Sequence, residues 1–65
     1  MLVEILETDK KTGVKKGQIY QAERYFLDPA NKVVLVKRFT KKDRKPISKK
    51  PNCTEYLSNI KIIKN

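Results

Sequence analysis

The stretch KVVLVKRF, from Lys32 to Phe39, constrains the fold of this chain more than any other feature. Its valines are β-branched, and such side chains are stiff and fit an extended backbone better than a helix. Both faces are apolar at the start of the stretch, whereas Lys37 and Arg38 make its end basic. We therefore predict a strand that is buried over its first half and emerges into solvent at Lys37 and Arg38. In a regular strand the side chains alternate between two faces. One face would then carry Val33, Leu35 and Phe39, and the other face would carry Val34, Val36 and Arg38.

Turn signals divide the remaining sequence into short apolar stretches. Residues 2–7, LVEILE, predict a first strand, and residues 60–63, IKII, predict a last strand with Ile60 and Ile62 on one face. Polar, proline-containing or glycine-containing stretches predict turns at residues 8–13, 14–17 and 28–31. We expect Gly17 to adopt a positive φ or to allow a close backbone approach before the next strand.

Residues 18–27, QIYQAERYFL, are compatible with two structures. The two tyrosines and the phenylalanine favour a strand, with Tyr20, Ala22 and Phe26 on one face. Alanine, glutamate, arginine and leucine favour a helix instead. We favour the strand, which would form a hairpin with the stretch that begins at Lys32.

Residues 52–55, NCTE, resemble a helix N-cap followed by an acid three residues later. This pattern predicts one helical turn through Tyr56 and Leu57, and the alternative is another short strand. The 65 residues are sufficient for one small domain, without an interior large enough for a substrate cavity. We predict a mainly β domain over residues 1–65, a small barrel of about five short strands with one helical turn near the C-terminus, because closure removes open sheet edges.

Positive charge is concentrated in one part of the chain. The formal net charge is +9, and residues 37–50 hold eight positive residues and one negative residue, which is a net +7. Such asymmetry indicates a polyanionic or acidic partner, and the alternative is that the charge serves solubility. We predict that residues 40–52, which contain Pro46 and Pro51, form a long basic loop.

The cations of this part of the chain are the candidate partner-binding residues. They are Lys37, Arg38, Lys41, Lys42, Arg44, Lys45, Lys49 and Lys50. Lysine outnumbers arginine among them, which favours contact with a phosphate backbone over reading of bases, because lysine acts as a point charge. Tyr20, Tyr25 and Tyr56 would stack on unpaired bases if exposed. The alternative is a core position with the hydroxyl at the rim of the barrel.

Composition argues against catalysis. The chain contains no histidine, a single cysteine, two glycines and seven scattered acids. A zinc site, a carboxylate pair and a glycine-rich phosphate loop are therefore not expected, and neither are an enzymatic activity, a cofactor or a small-molecule substrate. Cys53 is expected as a small buried apolar residue. A lone cysteine and the absence of a long apolar run favour a cytoplasmic protein that does not enter a membrane.

Two stretches resemble a known fold family. Residues 57–63, LSNIKII, resemble the close of SH3-like barrels, in which a helical turn carrying Ser-Asn leads into a last short strand. Residues 16–20, KGQIY, resemble the glycine-led strand entry of such barrels. A basic chain of this length with a KGQIYQAE stretch is also similar to small bacteriophage proteins, many of which act on a host enzyme or on nucleic acid. Peptide-binding SH3 domains carry a tryptophan and an acidic loop, which this chain lacks, so binding of proline-rich peptides is not expected.

Three functions follow as hypotheses. The first is a binding module whose basic loop contacts a nucleic-acid backbone. The alternative is an inhibitor or modulator of phage type that binds an acidic surface of a host protein, through the loop or through an exposed strand edge at residues 33–36. The third is a structural or assembly role.

Overall fold

The computed structural model describes residues 1–40, 45 and 53–64. In chain order the elements are β1 (Leu2–Ile5), β2 (Ile19–Arg24), β3 (Lys32–Phe39), β4 (Cys53–Tyr56), a 3-10 turn (Leu57–Asn59) and β5 (Ile60–Lys64). The strands form one antiparallel sheet in the order β4-β3-β2-β1-β5. The predicted mainly β fold, with five short strands and a helical turn near the C-terminus, is therefore confirmed.

The 3-10 turn requires the sheet to curl. It connects β4 directly to β5, although these two strands are the opposite edges of the sheet. In a flat sheet, edges that are four strand spacings apart would be separated by about 19 Å. The four residue steps from Tyr56 to Ile60 span at most about 14 Å. The two edges therefore approach each other, and the sheet takes a barrel-like shape.

Hydrogen bonds hold the 3-10 turn against both halves of the sheet. On the β3 side, the Leu57 N–H donates to the Asn31 carbonyl oxygen at 2.8 Å. On the β1 side, the Leu6 N–H donates to the Asn59 carbonyl oxygen at 2.9 Å. The Asn59 side chain accepts from the Glu7 N–H and donates to the Glu7 carbonyl oxygen, both at 2.9 Å. The turn thus closes the barrel at one end.

Buried side chains from four strands and from the β1–β2 connection form one core. They are Val3, Ile5, Val14, Tyr20, Ala22, Val33, Leu35 and Ile60. From β4, Cys53 packs partly against this core, and the Glu55 side chain is 2% exposed. The inner face of the curled sheet is therefore filled by side chains.

The β1–β2 connection folds back on itself as a small hairpin. The Asp9 N–H donates to the Val14 carbonyl oxygen, and the Gly13 N–H donates to the Asp9 carbonyl oxygen, both at 2.9 Å. This hairpin buries Val14 in the core. Gly17 then has the positive φ that the sequence predicts, +88°, and its N–H donates to the Ile5 carbonyl oxygen at 2.9 Å.

Residues 18–27 form a strand rather than a helix, but only as far as Arg24. Pairing with β1 on one side and with β3 on the other decides between the two alternatives. Tyr20 and Ala22 face the core as predicted, whereas the position predicted for Phe26 is wrong, since its side chain is 82% exposed. The chain has left the strand at this point and entered the turn toward β3.

β3 has the predicted bounds but contains a one-residue bulge at Val36. The register is given by two successive cross-strand pairs, Gln21 with Lys37 and Ala22 with Leu35, which leaves no β2 partner for Val36. An extra residue reverses the faces of the side chains that follow it. Lys37 is therefore exposed, and Arg38 lies opposite the buried Tyr20 on the core-facing side.

The bulge corrects the predicted alternation, because Arg38, and not Phe39, shares the face of Leu35. Emergence into solvent is confirmed for Lys37 only, since Arg38 is half-buried. The hypothesis of an exposed edge at residues 33–36 is also wrong, because β3 pairs with β2 on one side and with β4 on the other.

Two C-terminal predictions also change. Residues 53–56 form a strand, because Cys53 pairs with Leu35 of β3, and the helical turn begins only at Leu57. Ile60 is buried, whereas Ile62 is 44% exposed. β5 is an edge strand that pairs with β1 alone, so its second half is covered from one side only.

Candidate functional site

The basic part of the chain begins in the last residues of β3. Lys37 and Lys45 of this part are exposed, and Arg38 is half-buried. The Thr40 N–H donates to the Lys45 carbonyl oxygen at 2.8 Å, and the Lys45 N–H donates to Thr40 Oγ1 at 3.0 Å. The chain therefore returns to the end of β3 at Lys45. The other predicted cations and most of the predicted loop at residues 40–52 lie outside the described residues, namely Lys41, Lys42, Arg44, Lys49 and Lys50.

Arg38 contributes to the inside of the barrel end. Its Nε atom is buried and has no hydrogen-bond partner among residues 1–40, 45 and 53–64. Tyr20, its cross-strand neighbour, is 5% exposed and donates its hydroxyl to Gln18 Oε1 at 2.8 Å. Burial raises the pKa of the Tyr20 phenol, although the charge of Arg38 opposes this shift. Tyr20 is thus a core residue with its hydroxyl at the rim, and its ring is not available for stacking.

Exposed lysines also flank the outer face of the sheet. Successive cross-strand pairs run from Lys64 of β5 through Leu2 and Gln21 to Lys37 of β3. Both lysines are exposed. They are three strand spacings apart along the sheet, about 14 Å. Lys37 thus belongs to an outer surface that carries a second cation.

Two exposed apolar side chains occupy the tip of the β2–β3 hairpin. Phe26 is 82% exposed and Leu27 is 68% exposed. They are the central residues of a turn in which the Asp28 N–H donates to the Tyr25 carbonyl oxygen at 3.0 Å. Arg24 Nη1 supports the tip by donating to the Pro29 carbonyl oxygen at 3.0 Å. The tip is therefore a defined structure that presents apolar side chains to solvent.

Aromatic rings and a lysine continue from this tip across the ends of β3 and β4. The half-buried Tyr25 packs edge-on against Phe26, with ring centroids 5.6 Å apart. The Tyr25 N–H donates to the Lys32 carbonyl oxygen at 3.2 Å. Lys32 in turn pairs with Tyr56 of β4, and its Nζ lies 4.9 Å from the centroid of that ring. We call Phe26, Tyr25, Lys32 and Tyr56 the aromatic row.

Two neighbouring hollows lie beside the aromatic row. The larger has a volume of about 640 Å³ and includes Tyr25 in its wall, and the smaller has about 190 Å³ and includes Lys32 and Tyr56. Both hollows share Lys11, Thr12 and Thr54, so they form one continuous groove between the β1–β2 connection and β4.

The acids of the smaller hollow are engaged in internal hydrogen bonds. Asp9 Oδ1 accepts from the Lys11 N–H at 2.9 Å. The buried Glu55 carboxylate accepts from the Tyr56 N–H at 2.8 Å and from Thr12 Oγ1 at 3.4 Å. Lys11 is exposed, so a cation faces the solvent side of this groove.

Cys53 is a poor nucleophile in this setting. Burial raises the pKa of its thiol, and the negative charges of Glu55 and Asp9 raise it further. The expectation of a buried apolar cysteine holds in part, because Cys53 packs against the core but is half-buried. Within the described ranges, no three or more histidine, cysteine, aspartate or glutamate side chains are grouped to hold a metal ion.

Of the aromatic row, the sequence predicts Tyr25 and Tyr56 as candidate stacking residues but not Phe26 and Lys32. For Phe26 the available signal was its position just before Asp28 and Pro29, where turn residues end a strand. Lys32 and Tyr56 come together only through the pairing of β3 with β4, for which the sequence contains no local signal.

The described residues include no helix that is long and apolar enough to span a membrane. Comparison of the chain with protein-family models, with curated proteins and with solved structures finds no match.

Proposed function

We propose that this chain is a non-enzymatic binding module, an SH3-like barrel whose basic segment, residues 37–50, contacts a nucleic-acid backbone. The observation that carries the proposal is that a net +7 is concentrated in this segment and that Lys37 and Lys45, two of its cations at the barrel end, are exposed. Exposed lysines next to one another raise the local concentration of a polyanion. Neutralisation of phosphates then releases counterions, which supplies the affinity.

Binding to labelled DNA and RNA across a salt series tests this proposal by fluorescence anisotropy. If about six lysines and arginines neutralise phosphates on a duplex, log K falls against log salt with a slope of about −5. For a single strand the corresponding slope is about −4. Absence of binding at about 50 mM salt, where the electrostatic attraction is strong, contradicts the proposal.

A matched pair of charge-reversal variants locates the contact. The first replaces Lys41, Lys42, Lys49 and Lys50 with Glu. The control replaces Lys10, Lys15, Lys16 and Lys61 with Glu, and these four side chains are exposed outside the segment. Each variant changes the charge by four times −2, so both have a formal net charge of +1 instead of +9. We expect the first variant to lose binding and the control to retain most of it. Equal losses would show that only net charge matters.

The second candidate is an inhibitor or modulator of phage type that binds an acidic surface of a cytoplasmic host protein. The observation that favours it is the exposure of Phe26 and Leu27, since an aromatic side chain that enters a pocket is a frequent anchor of protein interfaces. Pull-down from a nuclease-treated bacterial lysate tests it. One stoichiometric protein, lost with the segment variant but not with the control variant, supports this candidate.

A further inference from the structure

The hydrogen bonds that hold the hairpin tip do not depend on its apolar side chains. The turn is held by the backbone bond from Asp28 to Tyr25 and by the Arg24 contact with Pro29. None of these bonds involves the side chains of the two tip residues, Phe26 and Leu27. Large apolar side chains exposed side by side are typical of interaction sites. The tip is therefore a candidate interaction site, in which Phe26 is also positioned by its edge-on contact with Tyr25.

The aromatic row has the geometry of a stacking platform. Lys32 and Tyr56 are directly opposite one another on β3 and β4, so their side chains share one face of the sheet. Tyr25 directly follows β2 and lies beside Lys32 through its backbone hydrogen bond. Two strand spacings separate the backbones of the two tyrosines, about 10 Å. Phe26 extends the row at the β2 end and Tyr56 is 55% exposed at the β4 end.

The positive charges in and beside the aromatic row favour an anionic ligand. Lys32 lies over the Tyr56 ring within the row, and the exposed Lys11 lines the adjacent groove. Asp9 and Glu55 also line the groove, but their carboxylates accept hydrogen bonds from the protein, and Glu55 is only 2% exposed. Alternating π-faces and cations are the elements that bind single-stranded nucleic acid, because bases stack on the rings and phosphates meet the lysines.

We propose that the aromatic row, Phe26, Tyr25, Lys32 and Tyr56, stacks on unpaired bases, so that the ligand of this chain is single-stranded nucleic acid. This inference rests on the proposed function and names the class of nucleic acid. The bases of a duplex are stacked on one another and do not reach protein rings. The basic segment supplies contacts to the backbone that either form of nucleic acid can make, and the aromatic row supplies the preference for a single strand.

Anisotropy with a labelled 12-nucleotide oligothymidine and with a duplex of the same length tests the inference. The variant Phe26→Ala/Tyr56→Ala removes two exposed rings without a change of charge. We expect its affinity for the single strand to fall by about tenfold or more, with the duplex affinity unchanged. The matched control, Leu6→Ala/Ile62→Ala, removes two partly exposed apolar side chains outside the row and is expected to keep both affinities. Circular dichroism checks that both variants fold.

A fluorescence probe reports stacking directly. The chain contains no tryptophan, so Phe26→Trp introduces a single indole into the row and Ile62→Trp introduces one outside it. Oligothymidine is expected to quench the indole at position 26 and to leave the indole at position 62 unchanged.

The outcomes separate this inference from the proposed function. Loss of single-strand affinity in the ring variant, together with quenching at position 26, supports the inference. Equal binding of single strand and duplex, unaffected by the ring variant, overturns it and leaves the proposed function intact. Absence of binding to any nucleic acid overturns both. A lysate protein that the wild-type chain retains and the ring variant loses, without oligonucleotide binding, overturns the inference in favour of a protein pocket.

Discussion

At the scale of single residues, the surroundings of Cys53 lower its reactivity. Its side chain lies against the core opposite Leu35, and two carboxylates, those of Glu55 and Asp9, are near enough to raise the pKa of the thiol in addition to the effect of burial. Only the thiolate is an effective nucleophile. The cysteine therefore acts as packing, in agreement with the proposal that the chain binds rather than catalyses.

We predict that Cys53 reacts with iodoacetamide several-fold more slowly in the folded protein than in the urea-unfolded chain at pH 8. A raised pKa leaves less thiolate at any given pH, so the rate–pH profile of the folded protein is displaced to higher pH. Removal of one negative charge by Glu55→Gln is expected to shift the profile part of the way back. Alkylation is followed by mass spectrometry, and a folded-state rate equal to or above the unfolded rate would contradict the prediction.

At the scale of elements, β3 depends on its bulge for the correct orientation of its basic end. Before Val36 the strand buries alternate residues, and after it the order is reversed so that Lys37 is exposed. If the same residues formed a regular strand without a bulge, strict alternation would turn Lys37 toward the core, and an unpaired buried ammonium group is strongly disfavoured.

Deletion of Val36 makes Leu35 and Lys37 consecutive opposite Ala22 and Gln21, so the bulge is lost but Lys37 stays exposed. We expect a cost of about 1–2 kcal/mol, from the lost packing of Val36 and the lost bend rather than from a buried charge. The control Val36→Thr keeps the bulge and a β-branched side chain, and we expect it to cost less than about 1 kcal/mol. Urea unfolding followed by circular dichroism measures both free energies. A cost of about 3 kcal/mol or more for the deletion, within the range of an unpaired buried charge, would show that the faces after position 36 are not kept.

Local sequence patterns predicted the bounds of β3 and the position of the hairpin turn, but not the features that depend on strand pairing. The β-branched run of β3 predicted its bounds, and the turn residues from Asp28 to Asn31 predicted the hairpin, because these signals are local. The bulge was not predictable, because it is defined by the partner that each residue has on β2. Pairing with Leu35 likewise made Cys53 the start of a strand although the residues around it match an N-cap.

In the candidate site too, local sequence patterns predicted some residues but not the contacts that depend on strand pairing. Tyr25 and the exposed Lys37 were predictable from residue type and local pattern. Tyr20 was not distinguishable from Tyr25 in sequence, since burial depends on which face of the curled sheet each residue takes. The contact of Lys32 with Tyr56 joins residues that are distant in the chain and adjacent only through β3–β4 pairing.

At the scale of the whole molecule, the barrel-like shape depends on a few contacts of the 3-10 turn. Asn59 is the most important of these residues, because its side chain makes both hydrogen bonds to Glu7 while its carbonyl oxygen accepts from Leu6. These bonds hold the end of β1 beside the start of β5. They therefore contribute to closure of the sheet as well as to local geometry.

We expect Asn59→Ala to lower the free energy of unfolding by about 1–2 kcal/mol, since two side-chain hydrogen bonds at about 1 kcal/mol each are lost, while water reaches the exposed Glu7 backbone groups. Asn31→Ala is a suitable control, because the one side-chain hydrogen bond of Asn31 to the described part of the chain goes to Asp28 Oδ1 within an exposed turn. The control is expected to cost less than about 1 kcal/mol. Thermal and urea unfolding of the two variants measure the difference, and equal costs would argue that closure does not depend on Asn59.

The bulge at Val36 also explains the order of two neighbouring basic residues. Because Lys37 faces outward and Arg38 lies half-buried beside Tyr20, the two side chains face different environments. Arginine has a more weakly hydrated, delocalised charge on a long apolar stem and is better suited to an enclosed position, whereas a compact ammonium group is better suited to water. Exchange of the two identities would leave every property computed from composition unchanged and yet place each cation in the less suitable environment. The charge that this chain presents is thus determined by sheet register as much as by the number of its lysines and arginines.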